Sequence, residues 1–487
     1  MPWAQVFTVC PLNEHAARSA TLECMVRPLT ELPFPDGRIP FLGDVRSVDR
    51  KNPTQHEMQL VAQLGPIYQR LLLRDRLIVV GGGELARQCL DEKNWARALI
   101  GPGAKLRDVA GSGLFTARSS DPLWGQARRI LTPGFSQEAM RVYHRAMQSV
   151  ADDLTAKWKD LSRVSVHEDM TAATLEVIAR AGFSQSMGLL GEPVQSSETQ
   201  EFLAALGRTL DWASQSSNDL PVIGWVRSRQ AKPQLSRDVA FAQQYVEDLI
   251  RVRRRKTGAN IGEDPDLLDL MMNSEDPETG ETLPDENIRD QVLTFLVAGH
   301  ETTAALMEVA LHYLAADRTL AATLRSSLPK EETTYEAIVK NRPLRSFLNE
   351  CLRLWPPVPG FFRVARTDQH LGGFEIPSGR AVFVLALAAQ RDHAVWGADA
   401  AEFRTSRFTD TRITARSGEF FAPWGAGPRS CIGRQFALHE AAVLLSGIVT
   451  SFDVELADPH APIRMRERGT LRPEPFTIEV SPATMEG

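Results

Sequence analysis

Apolar residues recur every three or four positions through most of residues 120–350, for example in AMRVYHRAMQSVADDLTAKWK and EFLAALGRTLDWASQ. This spacing gathers apolar side chains on one face of an α-helix, so this part of the chain is predicted to be helical. Between about 36 and 82, the runs IYQRLLL and LIVVGGG flank a turn at Arg74–Asp75 and predict a β-hairpin. Short strands return after Pro356, before a Gly-rich loop and a further helix. The pattern predicts a mainly helical α+β body with small sheets.

The same pattern indicates one folded unit. Residues 1–30 are predicted to be an N-terminal extension and 31–487 a single domain, because no linker-like segment divides them. No run approaches the roughly 18 consecutive apolar residues of a membrane span, and the N-terminus lacks the charged region of a signal peptide. We therefore expect a cytoplasmic protein that does not bind membranes.

Charge and cysteine content exclude further classes of protein. The 55 basic and 61 acidic residues leave a net charge of −6, which does not favour nucleic-acid binding. The five cysteines include no CxxC pair, which argues against a disulfide framework and against a four-cysteine zinc site.

The segment FAPWGAGPRSCIGRQFALHEA, residues 421–441, places Cys431 among glycines directly before a long helix. The positive end of that helix, together with Arg429, is expected to lower the pKa of the thiol. A thiolate here has three possible uses, as a nucleophile, a zinc ligand or a haem ligand. A nucleophile needs a base and zinc needs further ligands, whereas haem iron needs one thiolate, a large cavity and anchors for two propionates.

The run WGAGPRSCIG, residues 424–433, resembles the haem-binding signature of the cytochrome P450 family. The resemblance implies the P450 fold, with haem b between a central helix and the Cys-loop helix, and with Cys431 as the axial ligand of the iron. Trp424 stands where the family usually has Phe. Its indole is expected either to stack on the porphyrin or to donate a hydrogen bond toward the thiolate.

Other segments resemble further motifs of the same family. AGHETT, residues 298–303, matches the motif of an acid–alcohol pair. The match implies that Glu301 and Thr302 deliver protons and that the helix opens locally here. His300 occupies the variable position of the motif and is given no ligand role. The residues implied to bind the haem propionates are Trp124, Arg128, Arg363 and Arg429.

Two segments that resemble motifs of the family, NECLRLWPP (349–357) and FRTSRF (403–408), contain a set of charged residues. The resemblance implies that Glu350, Arg353 and Arg407 form an ion-pair lock. The role of this lock is structural.

The chain is most similar to the haem domain of bacterial self-sufficient fatty-acid hydroxylases, which are fused to a flavin reductase. In that group an Arg and a Tyr of the first hairpin hold the fatty-acid carboxylate, but Asp75 and Val79 stand at these positions. Glycines at 101, 103 and 469 predict a wider pocket, so we expect a bulky, terpenoid-like carboxylate as substrate. The residues expected to line the pocket or to anchor the carboxylate are Phe115, Ala298, Val358, Gly469, Arg70, Arg74 and Arg76.

The resemblance implies a haem-thiolate monooxygenase that uses O2 to hydroxylate an unactivated C–H bond of a hydrophobic small molecule. The sequence contains no flavin or NADPH fingerprint. An external electron donor of the ferredoxin or flavodoxin (FMN reductase) type is therefore expected. The alternatives are a fatty-acid hydroxylase with a relocated Arg anchor, a peroxide-driven hydroxylase, and a haem-based binder or sensor.

Overall fold

The computed structural model describes residues 27–73, 75–118, 120–191, 196–217, 221–257, 265–329, 333–409 and 419–484. Residues 1–26 of the predicted extension lie outside this part of the chain. The last residues of that extension pack on the body, because the Arg27 N–H donates to the Gly373 carbonyl at 3.0 Å and its guanidinium lies over the Phe374 ring. Residues 27–30 therefore belong to the folded body.

Helices dominate the fold, as the apolar spacing predicted. The described residues form α1 Pro53–Leu64, α2 Gly83–Gln88, α3 Pro102–Ala110, α4 Pro122–Leu131, α5 Gln137–Trp158, α6 Val166–Phe183, α7 Ser197–Ser217, α8 Pro221–Thr257, α9 Leu267–Asn273, α10 Asp285–Ala316, α11 Arg318–Ser326, α12 Tyr335–Lys340, α13 Arg342–Leu354, α14 Ala386–Ala389, α15 His393–Trp396 and α16 Arg434–Ser451.

The strands form small sheets around this helical body. The largest sheet has the strand order β1-β2-β8-β5-β3, the second β4-β12-β9, and β6-β7 and β10-β11 form two hairpins. The described strands are β1 Ile67–Leu72, β2 Asp75–Val80, β3 Trp95–Arg97, β4 Arg163–Ser165, β5 Phe361–Ala365, β6 Gln369–Leu371, β7 Phe374–Ile376, β8 Ala381–Val384, β9 Phe452–Glu455, β10 Met465–Arg468, β11 Thr470–Pro473 and β12 Thr477–Pro482.

The predicted first hairpin is present, with its turn one residue earlier than expected. Strands β1 and β2 pair antiparallel, and Leu72 lies opposite Asp75. Asp75 is therefore already part of β2 and not of the turn. Leu73 adopts a positive φ of 58°, which closes the short connection.

Helix α10 forms the centre of the body. It is buried over most of its length and packs against α6, α13 and α16, because a helix that is apolar on nearly all faces is stable only inside a protein. The helix is continuous from Asp285 to Ala316. The predicted local opening at residues 298–303 is therefore wrong for this structure. The Thr302 hydroxyl donates to the Ala298 carbonyl at 2.8 Å, a bond that is compatible with an unbroken helix.

The hairpin of β10 and β11 is attached to two other helices. At its turn, the Gly469 N–H donates to Ser214 Oγ of α7 at 2.8 Å. Near the turn on β10, the Glu467 carboxylate accepts the N–H groups of Thr54 and Gln55 at 2.9 and 3.0 Å, at the start of α1. The hairpin is thereby held in place while β11 packs against α10.

Candidate functional site

A tight loop presents the Cys431 thiol at the start of α16. A short 3-10 helix spans Gly427–Arg429, and the Cys431 N–H donates to the Trp424 carbonyl at 2.9 Å. The Cys431 side chain is exposed and free, whereas Cys89 and Cys351 are buried. Among the described residues, no group of three or more His, Cys, Asp or Glu is arranged to hold a metal ion, so the zinc interpretation lacks its further ligands.

The electrostatics of the thiol differ from the expectation. Desolvation raises the pKa of Cys431, while the Gly433 N–H and the side chains of Arg128 and Arg434 act in the opposite direction. A metal cation bound to the sulfur would reverse this direction, because coordination deprotonates a thiol.

Trp424 lies beside the thiol without a hydrogen bond from its indole. Its Nε1 atom is buried and has no acceptor among the described residues, the Cys431 sulfur included. The hydrogen bond to the thiolate, one of the two predicted roles, is therefore not formed. Stacking of the ring on a flat ligand remains as the predicted role.

Three of the predicted propionate-binding residues lie around the Cys loop. Arg128 Nη1 donates to the Ser430 carbonyl at 3.2 Å, which connects α4 to the loop. The Arg429 guanidinium lies 3.7 Å from the centre of the Trp124 ring. Burial and neighbouring cations, chiefly Arg97, lower the pKa of Arg429 to about 10. Nearby cations that repel one another favour the binding of an anion between them.

Arg363 joins this cationic region from β5. Its Nη1 atom is 2.6 Å from Glu92 Oε1, and its Nε atom is buried without an acceptor among the described residues. Glu92 also packs directly on the loop, because a Cβ at Gly427 would lie only 2.4 Å from Glu92 Cγ. The Arg363–Glu92 pair therefore contacts the Cys loop.

Sequence reasoning missed Arg97, which belongs to the same cationic region. Arg97 lies opposite Arg363 in the β3–β5 pairing and donates to the Phe115 carbonyl. Burial, and after it the charge of Arg363, lower the pKa of Arg97. No motif in the sequence marks Arg97, since its role depends on strand pairing. A cavity of about 280 Å³ lies here, lined by Arg97, Leu99, Ala104, Arg107, Ala117 and Arg118.

Helix α10 contributes the predicted acid–alcohol pair. The side chains of Ala298, Glu301 and Thr302 are only partly buried, unlike most of the helix. His300, in contrast, is buried, contacts the Leu296 carbonyl and has its pKa lowered to about 4 by burial. This placement agrees with the absence of a ligand role for His300.

Glu301 faces the hairpin of β10 and β11. Its Oε2 atom lies 3.5 Å from Thr470 Oγ1, and a Cβ at Gly469 would lie 3.8 Å away. Burial raises the pKa of the Glu301 carboxyl, and Arg472 is the largest influence in the opposite direction. The carboxyl is therefore an acid that can hold a proton in a poorly solvated environment.

Two apolar residues of the predicted pocket are unusually accessible. Phe115 is 40% and Val358 43% exposed. The backbone beside Phe115 is held by α10, because Gln291 Oε1 accepts the Leu114 N–H at 2.9 Å. The Arg429 guanidinium donates to the Ala117 carbonyl at 3.3 Å, so the loop that carries Phe115 contacts the central helix and the Cys loop together.

The hairpin arginines have different surroundings. Arg70 is buried and forms an ion pair with Glu57 at 3.0 Å, with a further bond to Ser47, so its charge is compensated away from any pocket mouth. Its predicted role as a substrate anchor conflicts with this placement. Arg74 lies outside the described residues. Arg76 is half-buried, and its guanidinium forms no hydrogen bond or ion pair with any residue that the structure describes.

Backbone conformation and close neighbours, rather than pocket volume, account for the glycines at 101, 103 and 469. Gly101 and Gly469 adopt φ values of +65° and +78°, which residues with side chains rarely adopt. A Cβ at Gly103 would lie 3.2 Å from Leu99 Cδ1 and 3.7 Å from Phe115 Cζ. These glycines therefore fit their turns and neighbours, and the wider pocket inferred from them loses its support.

The structure brings the three residues of the ion-pair lock together. Glu350 and Arg353 are fully buried and joined by two bonds of 2.7 and 2.8 Å. Arg407 Nε lies 3.4 Å from Glu350 Oε1. The sequence did not indicate Asp399, whose carboxylate is 2.9 Å from Arg407 Nη1.

The residues present fit haem b. Cys431 offers one thiol, Trp424 a partly buried ring whose N–H has no acceptor among the described residues, and Phe115 and Val358 two accessible apolar surfaces. The arginines next to these groups suit two carboxylates. Haem needs this combination of a thiolate, an apolar cavity and anionic anchors.

The chain belongs to the cytochrome P450 family, since residues 32–480 match the family described as Cytochrome P450. The match confirms the predicted fold and enzyme class. It also confirms the predicted cofactor, because this family uses haem b with a cysteine thiolate as the axial ligand.

The chain is similar to the P450 part of larger proteins. It is 35% identical over 468 residues to the bifunctional cytochrome P450/NADPH–P450 reductase of Bacillus cereus. The alignment covers 94% of this chain and 43% of that protein. It is 36% identical over 448 residues to the bifunctional cytochrome P450/NADPH–P450 reductase 1 of Bacillus subtilis, covering 90% and 41%. It is 32% identical over 455 residues to the self-sufficient cytochrome P450 monooxygenase CYP505E3 of Phanerodontia chrysosporium. That alignment covers 91% of this chain and 42% of the relative.

The chain thus spans less than half the length of these relatives. Among the helices that the structure describes, none is long and apolar enough to cross a membrane.

Proposed function

We propose that this protein is a monooxygenase that hydroxylates an unactivated C–H bond of a hydrophobic small molecule. The observation that carries the proposal is the exposed Cys431 thiol at the start of α16, beside cationic residues and accessible apolar side chains. Haem b, when bound, supplies the oxygen activation, and its thiolate ligand assists O–O cleavage. One oxygen atom enters the C–H bond and the other leaves as water, so each turnover consumes two electrons and two protons.

The residues of α10 are proposed to handle the protons. Glu301 supplies them, because desolvation raises the pKa of its carboxyl and so favours the protonated form. Thr302 passes them on through its hydroxyl, which donates to the Ala298 carbonyl within the helix. Phe115 and Val358 orient the substrate through apolar contact and exclude water from the reacting carbon.

The arginines are proposed to hold the cofactor. Arg128, Arg363 and Arg429 bind its propionates, and Arg97 is added to this set because it lies opposite Arg363. Trp424 packs its ring against the macrocycle. Cys431 is the axial ligand.

A carboxylated, terpenoid-like substrate is proposed in preference to a straight fatty acid. The support is the first hairpin, where Asp75 is an exposed anion and Val79 is a buried strand residue without a polar group. Arg76, next to Asp75, is the proposed anchor because it has no partner among the described residues. A fatty-acid hydroxylase that uses Arg76 as its anchor is the second candidate, on the same observation.

Electron supply is proposed to come from an external donor of the ferredoxin or flavodoxin type. The donor docks beside the Cys loop, where Gly427, Pro428 and Arg434 are exposed close to the sulfur. Haem-loaded protein with such a donor, an NADPH-dependent reductase of that donor, NADPH and substrate should release a hydroxylated product. Peroxide alone should support little turnover. Product formation with peroxide but not with the donor would indicate a peroxide-driven enzyme, and no product in either case would favour a haem-based binder.

Dissociation constants separate the two substrate classes. A diterpenoid acid should bind more tightly than palmitate, and Arg76→Gln should weaken binding by roughly ten- to a hundredfold, the usual loss of a charge-assisted hydrogen bond. The corresponding methyl ester should bind wild type and Arg76→Gln equally. Tight palmitate binding with a single hydroxylated product would contradict the preference for a terpenoid acid.

A further inference from the structure

A group of charged side chains lies between α6, α10 and the β10–β11 hairpin. Glu308 and Arg472 are 1% and 4% exposed, and Arg472 Nε donates to Glu308 Oε2 at 3.1 Å. His167 Nδ1 lies 2.9 Å from Glu308 Oε1, and Arg466 Nη2 lies 3.0 Å from His167 Nε2. These four residues, Glu308, Arg472, Arg466 and His167, are called the Glu308 cluster.

The bonds within the Glu308 cluster define its charge. With a neutral ring, His167 Nδ1 donates to Glu308 and Nε2 accepts from Arg466, and the 3.1 Å approach of Arg466 Nη2 to Nδ1 is then not a hydrogen bond. Two arginines and one glutamate then leave one net positive charge at a site that is partly buried, since Arg466 is half-buried. Arg466 Nε is also buried without an acceptor among the described residues. A positive charge that is partly shielded from solvent favours an anion nearby.

Glu301 is that neighbouring acid. It precedes Glu308 by seven residues, or two turns of α10 and roughly 10 Å along the axis. The charged groups that act on Glu301 come from every element packed around it. They are Arg472 of β11, Arg466 of β10, Asp211 of α7 and Glu308 of α10. The two arginines favour an ionised Glu301, whereas Asp211 and Glu308 favour a protonated one.

The contacts of Glu301 leave its proton free to exchange. No ion pair within 4 Å joins Glu301 to any described residue, and its nearest polar contact is the neutral Thr470 hydroxyl at 3.5 Å. The arginines thus act on the Glu301 carboxyl by long-range electrostatics and do not form an ion pair with it. The His167 side chain is 27% exposed, so the outer side of the cluster is accessible to solvent.

We propose that the Glu308 cluster sets the charge of Glu301, so that Glu308, Arg472 and Arg466 are positioning residues for proton delivery. This inference rests on the proposed function, in which Glu301 supplies protons. It assigns a purpose to a buried cluster that has no contact with the Cys loop among the described residues.

An infrared titration of the haem-loaded protein tests this inference without turnover. The carboxylic acid C=O band of Glu301 is assigned by its absence in Glu301→Gln. Its intensity is then followed against pH in the charge variants. Arg472→Gln and Arg466→Gln remove cations, so the midpoint should move to higher pH. Glu308→Gln removes an anion, so the midpoint should move to lower pH.

Matched surface variants control for general effects of charge removal. Arg318→Gln and Glu479→Gln make the same chemical changes at exposed ion pairs with Glu455 and Arg163. Neither should move the midpoint of the band. If Arg472→Gln does not fold, Arg466→Gln and the double variant Arg472→Gln/Glu308→Gln remain. The double variant should have a midpoint between those of Glu308→Gln and Arg466→Gln.

Unchanged midpoints in Arg466→Gln and Glu308→Gln, or shifts of both in one direction, would overturn the inference. The pH profile of coupled turnover should move in the same direction as the infrared midpoint in each variant. The infrared result stands even if no substrate is hydroxylated, so failure of the proposed function and failure of this inference remain distinguishable.

Discussion

The Glu350–Arg353 pair of the ion-pair lock and the Glu308 cluster both join arginine to a buried glutamate, but their hydrogen bonds are completed to different degrees. All five N–H groups of Arg353 have acceptors, two on Glu350 and three on the carbonyls of residues 390, 400 and 402. In the Glu308 cluster, Arg466 retains an unpaired N–H and the neighbouring Glu301 has no ionic partner. The other arginine of the lock, Arg407, has a buried Nε without an acceptor among the described residues, so only the Glu350–Arg353 pair is complete. A complete pair holds one arrangement, whereas an incomplete network leaves an acid that can change its charge.

The largest effect on stability is expected at the lock. Arg353→Gln leaves Glu350 fully buried with a weaker contact to Arg407 and removes donors from three backbone carbonyls. Breaking a buried pair costs about 3–5 kcal/mol, a large part of the usual stability of about 5–15 kcal/mol. Denaturant unfolding measures the loss. Arg318→Gln, at an exposed pair, should unfold like wild type. Equal stability of both variants would contradict a structural role for the lock.

A smaller loss is expected at the Glu308 cluster. Glu308→Gln keeps an oxygen that accepts from Arg472 and His167, and His167 already reaches solvent. The expected cost is about 1–3 kcal/mol, the usual penalty for a weakened buried polar contact. Unfolding under the same conditions provides the value. A loss larger than that of Arg353→Gln would reverse the comparison.

Glu301 should make stability depend on pH in a defined direction. Because its pKa is raised in the folded state, folding is favoured while the carboxyl is protonated, and that contribution is lost as the pH rises through the folded pKa. Glu301→Gln should therefore be more stable than wild type at pH values above the folded pKa and should flatten this part of the curve. Unfolding free energies measured across pH test this. An unchanged slope in Glu301→Gln would assign the pH dependence to another group.

The smallest structural effect is expected at the threonines of α10. Thr302→Ala should keep haem and substrate binding but release more reducing equivalents as peroxide, because the hydroxyl that passes protons is absent. Thr303→Ala is the matched control, since Thr303 bonds to the Gly299 carbonyl in the same way but is buried beside Glu440. Peroxide formed per NADPH consumed is the measurement. Equal coupling in both variants would remove Thr302 from the mechanism.

Sequence patterns predicted the features that depend on short spacings. The Cys loop, the Glu350–Arg353 pair and the helical segments each lie within a short stretch of the chain. The order of residues in that stretch is therefore sufficient to predict them. Arg97 and the Glu308–Arg472 pair join segments far apart in the chain, at a strand pairing and a helix–hairpin contact. Their residue types carry no local signal, which is why the sequence did not indicate them.

Some local features have two possible causes. A glycine at 469 is compatible with a wide pocket, but its positive φ accounts for the glycine. The position of Arg70 in the first hairpin is compatible with a substrate anchor, but Arg70 is buried and pairs with Glu57. The backbone conformation at Gly469 and the direction of the Arg70 side chain both depend on packing that the sequence pattern does not specify.

The most direct test of the central claim is the absorption spectrum of the reduced, CO-bound protein. With Cys431 as the thiolate ligand, wild type should absorb at the wavelength typical of thiolate-ligated haem, and Cys431→Ser should lose that band. Cys89→Ser, which changes a buried cysteine elsewhere, should retain it. A Cys431→Ser protein that keeps the thiolate band would contradict the assignment of Cys431 as the haem ligand.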